Sequence, residues 1–93
     1  MKCVVFGKRW FDKVNGNTYH SCEVFVDNQS IGYIPFTYGY GNQYQQTAME
    51  ILAKHDSKYK AIEQESPWRY FDRLFGPGET LFLIADVGRK KDL

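Results

Sequence analysis

Hydrophobic and polar residues alternate along the first third of the chain, with the period expected of half-buried β-strands. The alternation is almost strict over residues 18–27 (TYHSCEVFVD), and the N-terminal segment before it is rich in Val and Phe. Asn15-Gly16 lies between these segments and predicts a two-residue hairpin turn, because both positions tolerate a positive φ. A second turn at residues 28–30 precedes a third strand at residues 31–38. The pattern predicts a three-stranded antiparallel meander.

The periodicity becomes helical after the glycine-rich segment at residues 39–41. Residues with helical spacing then form one stripe, which we expect to face the sheet. Asn42 is placed to cap this helix, because its side-chain oxygen can accept a bond from the first turn. The stripe consists of Tyr44, Ala48, Ile51, Leu52 and His55.

Ser66-Pro67 predicts the start of a second, shorter helix, with serine as its cap and proline at the first helical position. Glycines on both sides of Pro77 end this helix. Its apolar side is predicted to consist of Trp68, Phe71, Leu74 and Phe75. Residues 80–86 (TLFLIAD) are almost uniformly apolar, which predicts a fourth strand that is covered on both faces or lies centrally in the sheet.

These elements predict a single α+β domain over residues 1–93. Its fold is a three-stranded antiparallel meander, with two helices packed on one face and a C-terminal fourth strand. The chain has no internal repeat, low-complexity tract or linker, and its 93 residues suit one domain with a modest core.

The predicted hairpin turn sorts the strand side chains between two faces. If Asn15-Gly16 alone form the turn, Lys8 opposes Glu23 and Phe6 opposes Phe25. Val5, Val24, Val26 and Cys22 then share the face toward the helices. The other face mixes rings with charges, which is typical of an amphipathic recognition surface and not of a core. Its members are Phe6, Lys8, Trp10, Tyr19, Glu23 and Phe25, and Tyr33 is expected to join them.

The two cysteines are predicted to stay reduced. In this register Cys3 lies about 20 Å from Cys22 along the strands, whereas bridged cysteines need Cα atoms within about 7 Å. Both are interpreted as small buried apolar residues.

Charge and composition restrict the classes of partner. The net charge is +1, which argues against a general polyanion binder. Aromatic residues make up 17% of the chain; most are expected in the core, and the others at an interface with a partner. The N-terminus lacks the features of a signal peptide, and no apolar run reaches transmembrane length. We expect a cytoplasmic protein with no membrane partner.

The motifs of catalysis and metal binding are missing from the sequence. No His-x-x-x-His, Glu-x-x-His or Cys-x-x-Cys spacing is present, so no metal site and no cofactor are predicted. No serine lies in a Gly-x-Ser-x-Gly context, and Gly39-Tyr40-Gly41 lacks the lysine of a phosphate loop. An enzyme would need His20 or His55 beside a carboxylate in a pocket. We predict that the protein is not an enzyme and has no catalytic residues.

Three surfaces are candidates for binding, and the third, formed by Arg69, Arg73 and the basic residues 89–91, is interpreted as solvated surface. The first is the outer sheet face described above, because rings on a sheet can stack bases or anchor a protein interface. The second is a tyrosine cluster around the glycine turn, formed by Tyr38, Tyr40 and Tyr44, which offers adaptable contacts. The alternative for the second surface is that Tyr44 packs in the core and the glycines only turn the chain. The predicted binding residues are Phe6, Lys8, Trp10, Tyr19, Phe25, Tyr33, Tyr38 and Tyr40.

Residues 19–55 resemble the later part of a double-stranded RNA-binding domain, with the strand segment YHSCEVFVDNQSIGYIPF leading to the helical segment QTAMEILAKH. Such domains carry Lys-Lys-x-Ala-x-Lys at the start of that helix, whereas residues 43–48 (QYQQTA) contain no cation. They also begin with a helix, where this chain begins with a strand. The resemblance implies shared supersecondary structure and not a shared function.

The whole chain is similar in size, in aromatic richness and in its lack of catalytic motifs to small orphan proteins of phages and mobile elements, many of which inhibit host defence systems. This similarity implies a stoichiometric inhibitor that binds a host defence complex. The alternative hypothesis is a nucleic-acid-binding domain that uses the aromatic sheet face. A third hypothesis is self-association, because the same patch could close a symmetric dimer.

Overall fold

The computed structural model describes residues 2–93 and confirms the α+β fold class. In chain order the elements are β1 (Cys3–Asp12), β2 (Asn17–Val26), β3 (Gln29–Tyr38), α1 (Gln43–His55), α2 (Pro67–Phe75) and β4 (Thr80–Val87), with short 3₁₀ turns at Ser57–Tyr59 and Lys90–Asp92. The strand order across the single sheet is β3-β2-β1-β4. The first three strands form the predicted antiparallel meander, and β4 runs parallel to β1.

The fourth strand lies at an edge of the sheet, so the prediction of a central or doubly covered strand is wrong. The chain returns from β3 through both helices and then runs beside β1, because parallel neighbours need a long connection. Phe82 packs edge-on against Phe71 in α2, with ring centroids 5.0 Å apart. Leu81 and Leu83 lie on the opposite face and are exposed. The apolar sequence of β4 therefore reflects one partly covered face, on which Phe82 is half-buried and Ile84 is exposed, and one open face.

The first hairpin loop is longer than the predicted two-residue turn. Asp12 pairs with Asn17, which leaves four residues in the loop. The Asp12 carboxylate accepts hydrogen bonds from the backbone amides of Val14 at 3.0 Å and Asn15 at 3.3 Å. Gly16, at a φ of 71°, donates its N–H to the Asp12 carbonyl oxygen at 2.8 Å. These bonds end the pairing of β1 with β2 at Asp12 and Asn17, and not at Val14 and Asn17 as the two-residue turn predicts, because they give the backbone a local alternative to the strand ladder.

The longer loop shifts the cross-strand register by two residues. Phe6 opposes Glu23 and not Phe25, and Lys8 opposes Ser21 and not Glu23. Side chains alternate with a period of two, so a slip of two residues leaves each of them on its predicted face. Val5 and Val24 lie on the face toward the helices and are fully buried.

The second hairpin has the two-residue turn that was predicted for the first. Val26 pairs with Gln29, and the two residues between them, Asp27 and Asn28, have φ values of 49° and 69°. Two positive φ angles define the turn type whose twist matches the flanking strands. The predicted turn at residues 28–30 therefore lies one residue too late.

The hydrophobic core lies between the inner face of the sheet and the two helices. Two predicted helix faces need correction: Thr47 is buried in place of His55, and Tyr70 is buried in place of Trp68. The Tyr70 hydroxyl donates to the Tyr59 carbonyl oxygen at 2.6 Å, which allows a polar group to be buried. The core consists of Cys3, Val5, Cys22, Val24, Tyr44, Ala48, Ile51, Leu52, Tyr59, Tyr70, Phe71 and Phe75.

The predicted helix boundaries are confirmed except for one cap. The Ser66 hydroxyl oxygen accepts a bond from the Arg69 amide at 3.4 Å, and Pro67 is the first helical residue of α2. Gly76 ends α2 with a φ of 101°. Asn42 precedes α1, but its side chain makes no capping hydrogen bond, so that prediction is wrong.

Both cysteines are free and buried. Cys3 pairs with Val26 and Cys22 pairs with Gly7, so the thiols lie about 13 Å apart along the strands and not about 20 Å. The distance is still too long for a disulfide. Burial raises the pKa of both thiols to about 12, which keeps them protonated and unreactive at neutral pH.

Candidate interaction surface

The outer face is the side of the sheet opposite the two helices. Most of its side chains lie there because alternate residues of each strand point to the same face. Between β1 and β4, the parallel register puts Phe6 beside Leu83 and Trp10 beside Val87. The outer face carries Phe6, Lys8, Trp10, Tyr19, Glu23, Phe25, Tyr33, Phe36, Tyr38, Leu81 and Leu83. It therefore brings together every predicted binding residue except Tyr40.

A β-bulge in β3 adds a ring that the sequence analysis missed. Cys22 pairs with Ile34 and His20 pairs with Thr37, so β3 has one more residue than β2 in this interval. The extra residue changes the phase of the alternation. Tyr33 and Phe36 both reach the outer face as a result, although strict alternation would place them on opposite faces. Pro35 between them is the one signal of an interrupted ladder, because proline cannot donate a backbone bond.

Three rings form a row across the three antiparallel strands. Trp10 and Tyr19 have ring centroids 6.0 Å apart and planes inclined by 24°. Tyr19 and Phe36 lie closer, at 4.6 Å and 19°. Tyr38 meets Tyr19 edge-on at 5.8 Å. We call Trp10, Tyr19 and Phe36 the aromatic row; such cross-strand pairs stabilise the sheet beyond their buried area.

The mutual stacking of the aromatic row determines what it can present to a ligand. Trp10 and Phe36 lie on the strands at either side of β2, and their ring planes are inclined by 24° and 19° to that of Tyr19. A nucleic-acid base stacks on a free ring face. The central ring of the row therefore offers its edge to an approaching molecule and not its face. A row of ring edges with exposed leucines beside it suits an apolar protein surface.

Charged groups lie among the rings of the outer face. The Lys8 ammonium is 5.9 Å from the centroid of Phe6, and the Lys90 ammonium is 4.6 Å from the centroid of Phe36. Glu23, of opposite sign, accepts a hydrogen bond from the Ser30 hydroxyl at 2.7 Å. Charges of both signs are therefore interspersed with the apolar groups of the outer face.

The C-terminal residues contact the β3 side of the outer face. Besides the Lys90–Phe36 contact, the Tyr33 hydroxyl donates to the Leu93 carbonyl oxygen at 3.3 Å. Arg89 pairs with Asp92 at 3.2 Å within this segment. These contacts join the segment after β4 to the far strand of the sheet.

The tyrosine cluster around the glycine turn does not form one site. Tyr44 is buried under the sheet, where its ring packs against Gly7. Tyr38 belongs to the outer face, and Tyr40 is 73% exposed beside the start of α1. Tyr40 lines an open cavity of about 480 Å³ together with Trp68 and Gln43. Tyr44 therefore packs in the core, as the alternative prediction for this residue states.

The two histidines lie in different surroundings. His20 is 1% exposed; its Nδ1 lies 3.2 Å from the Gly39 carbonyl oxygen and its Nε2 lies 2.7 Å from the Thr47 hydroxyl. Because a carbonyl can only accept, Nδ1 carries the proton and Nε2 accepts from Thr47. His20 therefore ties β2 to α1 and to the glycine turn. His55 is exposed at the end of α1.

The stability of the protein should depend on the protonation of His20. Burial lowers the pKa of His20, whereas the unfolded chain takes up the proton near pH 6.5. The unfolded state then binds more protons, so the free energy of unfolding should fall as the pH drops from about 6.5 toward 5, by at most about 1.4 kcal/mol per pH unit. Urea denaturation across this range measures the slope.

Two variants isolate the contribution of His20 to the pH dependence of the free energy of unfolding. His20→Gln should remove the slope between pH 6.5 and 5, and His55→Gln should retain it, because His55 is exposed. Arg73 lowers the pKa of the Glu65 carboxyl to about 2 through a hydrogen bond, so the contribution of Glu65 to stability is lost mainly as the pH falls from about 4.3 toward 2, below this range. An unchanged slope in His20→Gln would contradict the assignment.

Within residues 2–93, no three or more His, Cys, Asp and Glu side chains come close enough together to hold a metal ion. Over the same residues, neither helix has the length and apolar character needed to cross a membrane. Fold and surface together define a class: a four-stranded α+β domain with helices on one sheet face and aromatic side chains on the other. Comparison of the chain with protein-family models, curated proteins and solved structures found no match.

Proposed function

We propose that this chain is a non-enzymatic binding protein whose outer face docks onto a protein partner. The observation that carries the proposal is the aromatic row, flanked by the exposed residues Tyr33, Tyr38, Leu81 and Leu83. Both helices pack on the inner face, so these apolar groups remain in contact with water. Covering them would stabilise a complex by roughly 25 cal/mol per Å² of apolar surface removed from water.

The stacking geometry supports a protein partner over a nucleic acid. Base stacking needs free ring faces, and the faces of Tyr19 are turned toward its neighbours. The face also carries Glu23 as well as Lys8, and the net charge of the chain is +1. A phosphate backbone would be bound by a clear excess of cations.

Nucleic-acid binding is the second proposal, and a different observation favours it. Lys8 and Lys90 place ammonium groups next to the rings of Phe6 and Phe36. Rings and cations in one groove are the combination that binds single strands. This alternative requires an affinity that falls steeply with salt concentration, because phosphate contacts release counterions.

For the identity of the partner, we propose a host defence complex that the chain inhibits by occupying one of its surfaces. The support is the similarity to small phage and mobile-element proteins in size, aromatic richness and absence of catalytic motifs. Expression of the chain in cells that carry a defined defence system should restore plaque formation by a phage that the system blocks. Restriction that is unchanged across a panel of such systems would refute the inhibitor proposal.

Substitutions on the outer face test the binding proposal. Phe36→Ala and Tyr38→Ala should each weaken capture of the partner by about 30-fold, the effect of removing an aromatic hot spot worth about 2 kcal/mol. Tyr38 is 60% exposed, so its removal should leave the fold intact, which circular dichroism can verify. Quantitative mass spectrometry of proteins captured from lysate, followed by titration of the purified partner, measures the loss.

Trp68→Ala is the matched control, since Trp68 is an equally exposed ring on α2, away from the outer face. This variant should capture the partner as well as the unmodified chain does. If Trp68→Ala abolishes capture and Tyr38→Ala retains it, the outer face is not the docking surface. Co-purification of nucleic acid, with binding that is lost at high salt, would favour the second proposal.

A further inference from the structure

The segment that follows β4 leaves one edge of the sheet and returns over the outer face to the other edge. The chain bends at Gly88 and Arg89, immediately after β4 ends at Val87. β4 and β3 are the two edge strands, with β1 and β2 between them, so they lie about 14 Å apart across the sheet. The Lys90 ammonium nevertheless lies 4.6 Å from the centroid of the Phe36 ring on β3.

The path of this segment follows the aromatic row. Val87 pairs with Trp10, so the segment begins beside one end of the row, and Lys90 contacts Phe36 at the other end. Three residues of extended chain reach at most about 11 Å, and the lysine side chain covers the remaining distance. The segment therefore takes a nearly direct course over β1 and β2 on the side of the outer face.

Residues 88–93, which we call the strap, also contact β3 at their far end. The Tyr33 hydroxyl donates to the Leu93 carbonyl oxygen at 3.3 Å. Asp92 and Leu93 are half-buried, whereas residues 88–91 are exposed. Within the strap, the Asp92 amide donates to the Arg89 carbonyl oxygen at 3.0 Å and the Leu93 amide donates to that of Lys90 at 3.2 Å. The strap is therefore a folded turn that rests on the β3 side of the outer face.

We propose that the strap is an autoinhibitory element, which closes over the β3 side of the outer face and is displaced when the protein partner docks. This inference rests on the function proposed above, because it concerns the same surface. Tyr33 and Phe36 hold the strap, and both belong to the rings that the outer face offers to a partner. A partner that contacts these rings has to compete with the strap.

The contacts that hold the strap are weak enough for a partner to displace. Within residues 2–93, the side-chain contacts that join it to β3 are the Lys90–Phe36 contact and the Tyr33–Leu93 hydrogen bond. Contacts of these kinds between exposed groups contribute little. The ion pair between Arg89 and Asp92 lies within the strap and can persist when it lifts. The core of the described chain includes no strap residue, so lifting leaves the fold intact.

Substitution of Lys90 tests the effect of the strap on binding to the partner purified in the capture experiment above. Lys90→Ala removes the contact with Phe36 and should strengthen binding by about three- to tenfold, because only the open fraction of the chain can bind. Lys91→Ala is the matched control: it removes the same charge from a neighbouring exposed residue and should change binding by less than about twofold. Lys90→Arg retains a cation that packs on a ring and should bind like the unmodified chain.

Nuclear magnetic resonance of the free chain tests whether the strap is closed when no partner is present. The ε-methylene protons of Lys90 should be shifted upfield by the ring current of Phe36, because the ammonium lies over that ring. Phe36→Leu should remove most of the shift. Tyr33→Phe removes the bond to Leu93 and should reduce the same shift, because both contacts hold one strap. The ε-methylene protons of Lys91 should have ordinary shifts in every variant.

The two measurements separate the strap from the docking proposal. An upfield Lys90 shift in the unmodified chain, with tighter binding in Lys90→Ala alone, supports the strap. Ordinary Lys90 shifts, unchanged or weaker binding in Lys90→Ala, or an equal gain in Lys91→Ala would overturn the strap and leave the docking proposal standing. A shifted Lys90 in a chain of which no variant captures a partner would instead refute the docking proposal, and the autoinhibitory role with it.

Discussion

Phe71→Ala is expected to lower the free energy of unfolding by about 3–5 kcal/mol, the cost of removing a large ring from a packed core. Phe71 is 1% exposed and joins α2 to the sheet. Its ring contacts Tyr70 edge-on at 5.0 Å, stacks with Phe75 at 6.2 Å and meets Phe82 of β4 edge-on at 5.0 Å. Urea denaturation followed by tryptophan fluorescence measures the change in the midpoint and in the m-value.

Two further variants test whether the loss of stability comes from the buried ring of Phe71 or from any substitution on α2. Trp68→Ala removes a ring that is 69% exposed on the same helix, so its effect should stay within about 0.5 kcal/mol. Phe71→Leu fills part of the cavity and should cost less than Phe71→Ala. Small domains commonly have only about 5–15 kcal/mol of total stability, so Phe71→Ala should also raise the unfolded fraction measurably. A loss below about 1 kcal/mol would mean that α2 does not anchor β4.

Gly7→Val is expected to destabilise the protein by about 1–3 kcal/mol or more, the range for overpacking a core. A Cβ at Gly7 would lie 2.6 Å from the Tyr44 ring and 2.9 Å from Ile84. Tyr44 is buried, so its ring cannot move aside without disturbing the core. Strand propensity alone favours valine over glycine by up to about 1 kcal/mol. The sign of the measured change therefore decides between local propensity and tertiary packing.

Gly88→Ala is the matched control for Gly7→Val, because a Cβ at Gly88 meets open space. The Gly88→Ala substitution should leave the free energy of unfolding almost unchanged. A double-mutant cycle with Tyr44→Ala tests the contact itself: valine at position 7 should be far less harmful once the ring is absent. Additive losses in that cycle would show that the Tyr44 contact is not the cause.

Local chemistry was sufficient to predict much of the fold. The cap at Ser66 and the helix end at Gly76 depend on groups within one helical turn, and both were predicted. Asn15-Gly16 predicted too short a loop, because Asp12 supplies bonds that close a longer one. The error did not move any β1 or β2 side chain to the wrong face, since the slip was an even number of residues.

The helix faces show where periodicity alone fails. Trp68, Phe71 and Phe75 have the better helical spacing (i, i+3, i+7), yet Tyr70 is the residue buried beside Phe71 and Phe75. Tyr70 is buried because the Tyr59 carbonyl oxygen accepts its hydroxyl proton, a partner that no spacing argument includes. Trp68 has no such role and remains exposed.

The candidate surface was predicted in outline but not in detail. Alternation placed Phe6, Trp10, Tyr19 and Phe25 together, since period two is a property of the strand itself. It missed Phe36, because the bulge at Pro35 exists only where β3 pairs with β2. The separately predicted tyrosine cluster does not form one site, because Tyr44 is buried and Tyr40 lies beside the start of α1.

The sequence by itself determined the meander, the helix ends and the side of the sheet on which the β1 and β2 residues lie. These features depend on neighbours within a few positions, through side-chain alternation and capping bonds. Only the tertiary structure decided that β4 lies at an edge beside β1, and that three rings from different strands form one row. Those outcomes depend on pairing between residues far apart in the chain, and an apolar segment such as TLFLIADV carries no record of which strand it joins.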